Sequence, residues 1–251
     1  MLAGDDGSRP TISIVVPAFN ESRRLGASLH QVSDFVGTSP ISFEVIVVDD
    51  GSTDETADIV RRFEKNGIRL IANGVNRGKG YSVRAGVLNA AGTYVLFTDA
   101  DLSTPIEEVN TLYEIARRDD FDIVIGSRAL DRRYIERHQS RFREVGGIAF
   151  NRMVRIILGL DVYDTQCGFK LFHRDRTRPI FEQLTTERFG FDPEVLFLAA
   201  RRGLRVKEVS VRWRHSDETK VRIFREGARM LADLVRIRRN ARAGKYDVLK
   251  R

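Results

Sequence analysis

Apolar runs rich in β-branched residues recur along the first half of the chain, and each stops abruptly at polar residues before a stretch with helical spacing. Ile12-Ser13-Ile14-Val15-Val16-Pro17, Phe43-Glu44-Val45-Ile46-Val47-Val48 and Tyr94-Val95-Leu96-Phe97-Thr98 are the clearest. Runs of this length, apolar on both faces, are the signature of buried parallel strands. The pattern predicts strands near 12–17, 43–48, 68–72, 94–98, 122–126 and 206–212. Helices are predicted near 21–37, 53–66, 79–91 and 105–118. The last is marked by Pro105 in a first turn with Glu107 and Glu108 at its positive end. Strands alternating with helices predict an α/β fold, Rossmann-like, with a mostly parallel central sheet flanked by helices.

In such sheets ligands bind beyond the carboxyl ends of the strands. Asn20, Glu21, Asp49, Asp50, Asp99 and Asp101 are therefore expected on one edge. Asp99-Ala100-Asp101 directly follows an apolar run, where two carboxylates can hold a divalent cation against a diphosphate. Ser52, Thr53 and Asp54 suit a helix start. Capping leaves the adjacent Asp49 and Asp50 unexplained, since like charges side by side repel. Asn76-Arg77-Gly78-Lys79-Gly80 reads as a turn whose glycines let backbone approach a ligand. Lys79 could touch a phosphate there, or be an exposed first-turn lysine.

Charge divides the chain. Residues 1–125 carry 12 Lys/Arg and 19 Asp/Glu, net −7, and residues 126–251 carry 30 and 16, net +14. The basic half is expected to face an anion such as a lipid phosphate or a membrane surface. Nucleic acid is disfavoured, because no nucleic-acid motif is visible and the acidic half would repel a polyanion. The 251 residues and 42% hydrophobic content suit one domain with a sizeable core. Residues 1–10 are polar, lack the apolar stretch of a signal peptide, and are expected to form a flexible tail. The single Cys167 excludes an intramolecular disulfide, suits a reducing compartment and reads as a small buried residue rather than a nucleophile.

Taken together, Val16-Pro17-Ala18-Phe19-Asn20-Glu21, Val48-Asp49-Asp50-Gly51-Ser52-Thr53-Asp54, Asn76 to Gly80 and Asp99-Ala100-Asp101 resemble glycosyltransferase family 2, inverting enzymes with a GT-A fold. The later string Asp164-Thr165-Gln166-Cys167-Gly168-Phe169-Lys170-Leu171-Phe172 resembles the dolichyl-phosphate β-glucosyltransferase branch. The similarity runs from about Ile12 to about Arg222. It implies a nucleotide-sugar site of Pro17, Ala18, Glu21, Asp50, Lys79, Asp99, Ala100, Asp101 and Lys220, with Asp50 at the uracil edge. It implies Mg²⁺ or Mn²⁺ on Asp99 and Asp101. The related mannose synthases offer a carboxamide where this chain has Ser103, a poorer ligand. Arg128 and Arg143 match the arginines that hold the acceptor phosphate. Asp192, in Phe189-Gly190-Phe191-Asp192-Pro193-Glu194, matches a residue that bonds a sugar hydroxyl or orients an arginine. Gln166 and Lys170 could act in the site or hold its floor.

The implied reaction moves glucose from UDP-glucose to dolichyl or polyprenyl phosphate with inversion. An anionic phosphate acceptor needs cations to position it rather than a base to activate it. The alternatives are a mannose synthase using GDP-mannose, transfer to a soluble hydroxyl acceptor with Asp192 as base, and a nucleotide-sugar sensor without turnover. The expected organisation is a tail at 1–10, a catalytic domain at 11–222, and a basic amphipathic helix and tail at 223–251. The expected location is cytoplasmic, with peripheral attachment to a membrane left open. Two stretches bear on that attachment. One is the apolar, arginine-punctuated helix of residues 146–160, and the other is residues 223–239, where Phe224, Ala228, Leu231, Leu234 and Val235 share a face. For the second, ordinary packing is the favoured expectation.

Overall fold

A computed structural model describes residues 9–137, 141–215 and 223–247. Seven strands form the central sheet. In chain order, β1 (Ile12–Ala18), β2 (Phe43–Asp49), β3 (Ile68–Ala72), β4 (Tyr94–Thr98) and β5 (Ile123–Ser127) are the strands predicted in the first half. A short β6 (Ile135–Arg137) lies outside the sheet, followed by β7 (Phe169–His173), β8 (Val206–Ser210) and β9 (Trp213–Arg214). The sheet order is β3-β2-β1-β4-β7-β5-β8, and β6 pairs with β9 in a separate two-stranded ribbon. All neighbours in the sheet are parallel except β7, which runs antiparallel between β4 and β5. Strand order reverses at β1 and β4, which opens a crevice beyond their carboxyl ends.

Strict alternation along the strands builds two cores. Val15, Ile46, Val48, Val95, Phe97, Ile123 and Ile125 face one side. They pack there with α3 (Lys79–Asn89), α5 (Arg141–Leu158), α6 (Arg174–Gln183), α7 (Phe191–Arg201) and α8 (Ile223–Arg242). Ile12, Ile14, Val16, Val45, Val47, Leu96 and Val124 face the other, against α1 (Leu25–Thr38), α2 (Thr56–Arg62) and α4 (Glu108–Arg118). In α4 the buried positions are Val109, Leu112 and Ala116, a helical stripe, and Arg117 and Arg118 lie at its negative end.

The C-terminal helix packs into the core. Met230, Leu234 and Ile237 of α8 are buried with residues of α5 and α7. This packing corrects the expected face: Leu234 is buried, whereas Ala228, Leu231 and Val235 point to solvent. Glu194, fully buried on α7, accepts hydrogen bonds from Thr185 N (3.1 Å), Thr186 N (2.8 Å) and the Tyr246 hydroxyl (2.7 Å). It thereby ties the chain's last described turn to the segment before α7. The first eight residues of the expected N-terminal tail lie outside the described residues. Among the described residues no helix is long and apolar enough to cross a membrane.

Candidate active site

The loops after β1 and β2 are laced together by side chains. Asn20 adopts a positive φ of 55°, donates from its N–H to Ser52 Oγ (2.9 Å) and accepts from Thr53 N (2.8 Å). Glu21 N donates to Thr56 Oγ1 (2.7 Å). Ser52 and Thr53 therefore bridge two loops and do not cap α2, whose N-cap residue is Glu55. Asp54 keeps part of the capping role, accepting from Thr56 N (3.0 Å) and Ser22 N (3.2 Å). Desolvation pulls its carboxyl upward, but the bonds from Thr56 and Ser22 outweigh it and hold the pKa at about 2. A depressed carboxylate pKa stabilises the fold above the ordinary value of 3.8, and that contribution is lost as pH falls through about 2. Asp54→Ala is accordingly expected to destabilise the protein by about 1 kcal/mol at neutral pH, as for a lost cap. Melting curves should show the gap from wild type closing between those two pH values; a gap that persists in acid would contradict this.

Pro17 and Ala18 end β1 on this edge, and Ala18 O accepts from Asp50 N (2.8 Å). Asp50 is buried, and its oxygens accept from Asn73 Nδ2 (2.9 Å), Arg77 N (3.0 Å) and Gly78 N (2.7 Å). The neighbouring Asp49 accepts from Ser52 N (3.3 Å). These donors offset the repulsion expected between the two acids. Asp50 thus fixes the turn before α3, with one of a carboxylate's roughly four lone-pair sites left over. Gly78 turns with φ 109°, and a Cβ there would collide with Glu187 backbone.

Lys79 begins α3 and is not a solvated lysine. Its ammonium lies 2.6 Å from Asp99 Oδ1 and 5.1 Å from the centre of the Phe97 ring. Burial alone would lower its pKa, but Asp99, Asp192 and Asp101 together raise it. Asp101 accepts from Ser103 N (3.0 Å) and faces Arg24 Nη1 at 3.3 Å. Arg24 also pairs with Glu21. Burial pushes the Asp101 carboxyl above the usual range and Asp99 pushes it further, with Arg24 and Ser103 opposing. Ala100 between the two acids is buried. No motif singles out Arg24; its spacing of three from Glu21 on one turn is the only hint.

No group of three or more His, Cys, Asp or Glu suited to a metal exists among the described residues. Asp99 and Asp101 nonetheless make a fitting partial set for Mg²⁺ or Mn²⁺. Their side chains are part-exposed, at 34% and 18%, and a cation would relieve their repulsion. Hard cations of this kind are commonly held by one or two carboxylates, with phosphate oxygens and water completing the shell. The Ser103 carbonyl accepts one hydrogen bond, from Arg214 N (2.8 Å).

The string from Asp164 to Phe172 forms the wall next to the acids, because β7 pairs directly with β4. Asp99 N donates to Gly168 O (3.1 Å). Lys170, fully buried, donates to Cys167 O (2.6 Å) and to Asp192 Oδ1 (2.6 Å). Burial raises the Asp192 pKa against the pull of Lys170 and Lys79. Cys167 is buried, and burial pushes its thiol up to about 12, so it stays protonated and inert. Arg128 makes a bidentate fork on Asp164, Nε to Oδ2 at 2.7 Å and Nη2 to Oδ1 at 2.8 Å, with its guanidinium 5.3 Å from the Trp213 ring centre. Burial opposes its charge, but Asp164 overcomes this and Asp99 adds to the effect. Burial would also raise Asp164, yet Arg128 holds it below the usual range. Asp164 is the partner that no motif assigns to Arg128. Asn151 on α5 accepts from Thr165 N (3.0 Å) and Thr165 Oγ1 (2.7 Å), and Gln166 Nε2 lies 3.7 Å from Met230 Sδ of α8. Arg143 falls in the first turn of α5, but its side chain lies outside the described residues, as does Lys220 altogether.

Residues 13–203 match the family model "Glycosyl transferase family 2". The chain is 37% identical over 241 residues to dolichyl-phosphate beta-glucosyltransferase of Dictyostelium discoideum, covering 90% of this chain and 73% of that one. It is 37% identical over 248 residues to the Drosophila melanogaster protein of the same name, covering 93% and 76%. The Saccharomyces cerevisiae protein of that name is 33% identical, with 90% and 74% covered. Among solved structures, glucosyl-3-phosphoglycerate synthase from Mycobacterium tuberculosis in complex with Mn²⁺, UDP-glucose and phosphoglyceric acid superposes with a TM-score of 0.67. It is 20% identical over 92% of this chain and 80% of that one, a likeness of fold.

Proposed function

The chain belongs to glycosyl transferase family 2 and is a glycosyltransferase, and from that premise we propose that it moves glucose from UDP-glucose to a polyprenyl phosphate with inversion. The observation that carries the reading is one cluster of charged side chains at the end of β4. Lys79 lies 2.6 Å from Asp99, Arg24 faces Asp101 at 3.3 Å, and the Asp164–Phe172 wall bonded to Asp99 through Gly168 holds Arg128 on Asp164. Acids and cations so arranged suit two phosphate-bearing substrates brought together.

Pro17, Ala18, Glu21 and the remaining face of Asp50 receive the uridine. Asp99 and Asp101 would hold Mg²⁺ or Mn²⁺, which would supply positive charge to the departing diphosphate. Lys79 turns from Asp99 to that diphosphate, and Lys220 is a second candidate for it. Arg128, gripped on one side by Asp164, keeps Nη1 for an oxygen of the acceptor phosphate, and Arg143 is a candidate to assist. An acceptor phosphate oxygen bonds to the anomeric carbon as the bond to UDP breaks, the electron pair leaving with UDP. No group must take a proton, because the attacking oxygen is already anionic. Asp192 is bound to Lys170 and serves as a brace and a partner for a sugar hydroxyl, not as a base. The reading includes peripheral contact with the cytoplasmic face of a membrane, where a nucleotide sugar and a lipid phosphate meet. Mn²⁺ and UDP-glucose occur together in the mycobacterial structure of this fold.

Arg128→Lys keeps the charge beside Asp164 but loses the planar fork. It is expected to raise the KM for polyprenyl phosphate about 10-fold or more, as for a lost charged hydrogen bond, with the KM for UDP-glucose unchanged. Asp101→Ala is expected to lower kcat about 10²–10³-fold, as when a group that stabilises developing charge is removed. Steady-state kinetics with both substrates varied tests this. An Arg128→Lys enzyme whose defect lies in UDP-glucose binding would overturn the acceptor assignment.

A further inference from the structure

α5 is apolar on both sides. Its inner side puts Phe150, Val154 and Leu158 into the core. Its outer side leaves Val145, Ile148, Met153 and Ile156 exposed at 65%, 60%, 38% and 74%. Steps of three, eight and eleven residues from Val145 keep these four on one side of the helix, with the exposed Ala149 among them. Four large apolar side chains exposed along one helix face mark a surface that meets a partner. Arginines lie on and beside this face: the exposed Arg152, four residues from both Ile148 and Ile156, shares it, and the exposed Asp161 lies at its edge beside Arg155. Arg152 and Arg155 line a shallow pocket with Ile156 and Leu160. The Arg155 guanidinium lies 4.2 Å from the ring centre of Tyr163, which is half-exposed, and 3.7 Å from Asp161. α8, packed on α5, exposes Leu231 and Val235 among the exposed Arg229, Arg238, Arg239 and Arg242.

Aliphatic side chains interspersed with arginines, with a tyrosine beside them, fit the boundary between anionic headgroups and acyl chains, where long cationic side chains reach outward while their stems stay apolar. Continuity with the site points the same way. Asn151 of α5 holds Thr165, the residue after the Asp164 that grips Arg128. We propose that the outer face of α5 seats in the surface of an anionic bilayer, so that a lipid-borne phosphate is presented to Arg128. This rests on the lipid-acceptor reading above and adds to it the surface that meets the lipid.

Ile148→Asp/Ile156→Asp changes only exposed positions, and an unchanged melting temperature establishes that it folds. The protein and this variant are floated with vesicles of phosphatidylcholine alone and of phosphatidylcholine with phosphatidylserine. In parallel, both are assayed for glucose transfer to a short, water-soluble prenyl phosphate and to a long-chain polyprenyl phosphate in vesicles. Wild type is expected to float with the anionic vesicles and the variant to bind at least ten-fold more weakly, since each buried isoleucine accounts for roughly a ten-fold change or more. The variant should keep transfer to the soluble acceptor and lose transfer in vesicles. Wild type that does not float, or a variant that floats as well as wild type, overturns the proposal. A variant that floats normally but changes from dimer to monomer in sedimentation also overturns it, in favour of a contact between copies. Flotation of wild type without transfer to either acceptor would sink the lipid-acceptor reading and leave the docking face standing.

Discussion

Gly168→Ala is expected to cut glucose transfer about 100-fold, the loss that follows when a reacting geometry shifts by about 1 Å, while the protein still unfolds cooperatively. A Cβ on Gly168 would sit 2.8 Å from Asp99 Oδ1 and closer still to Cγ and Oδ2. The fold can yield, because a carboxylate at the end of a side chain can rotate away. The site cannot yield without cost, because Asp99 is held by the bond from its N–H to Gly168 O and by Lys79 on Oδ1. Once swung aside it no longer stands beside Asp101 to share a cation. Kinetics alongside a melting curve separate the two effects. Near-normal transfer at an unchanged melting temperature would mean that the position of Asp99 does not matter to the reaction.

Lys170→Met is expected to act on stability first, by about 3–5 kcal/mol, the usual result of leaving one partner of a buried ion pair alone. Lys170 and Asp192 are 1% and 5% exposed, and their 2.6 Å bond sits under the wall of the site. For a chain of this size the melting temperature should fall by roughly 10 °C. The double variant Lys170→Met/Asp192→Leu should recover most of that loss, since removing both charges removes the buried unpaired group. Burial already holds the Asp192 carboxyl above its usual range. Without the ammonium it rises further, so the single variant gains stability relative to wild type as pH falls and Asp192 protonates. A double variant no more stable than the single one would show that the pair is not what holds this wall. Residual transfer by the double variant would exclude Asp192 as an obligatory base.

The strands on which the nucleotide edge is built were legible because each is a continuous apolar run that ends at its functional residues. β7 was not. Phe169-Lys170-Leu171-Phe172-His173 carries a lysine in mid-strand, and only the distant Asp192 lets that charge be buried. α6 holds Pro179 and five charged residues in ten, which hides its few buried positions. α7 is buried on nearly every side, so it has no polar face to give it a period, and its acidic first turn reads as a loop motif. Asp99 and Asp101 stand out as a pair, but Arg24 and Lys79, which neutralise them, lie on other elements. Arg128 and Asp164 are 36 positions apart, and only the antiparallel insertion of β7 beside β5 brings their segments together. The exposed apolar side of α5 was foreshadowed by its composition, yet which residues face outward depends on how Phe150, Val154 and Leu158 enter the core.

The most direct test of the account is the product. Purified protein is incubated with Mg²⁺ and a polyprenyl phosphate, with UDP-glucose, UDP-N-acetylglucosamine or GDP-mannose as donor, and the lipids are read by mass spectrometry. The account predicts a glucosyl phosphopolyprenol from UDP-glucose alone, abolished by a chelator and by Asp101→Ala. A mannosyl lipid from GDP-mannose, or no lipid product while UDP-glucose still binds, would contradict it.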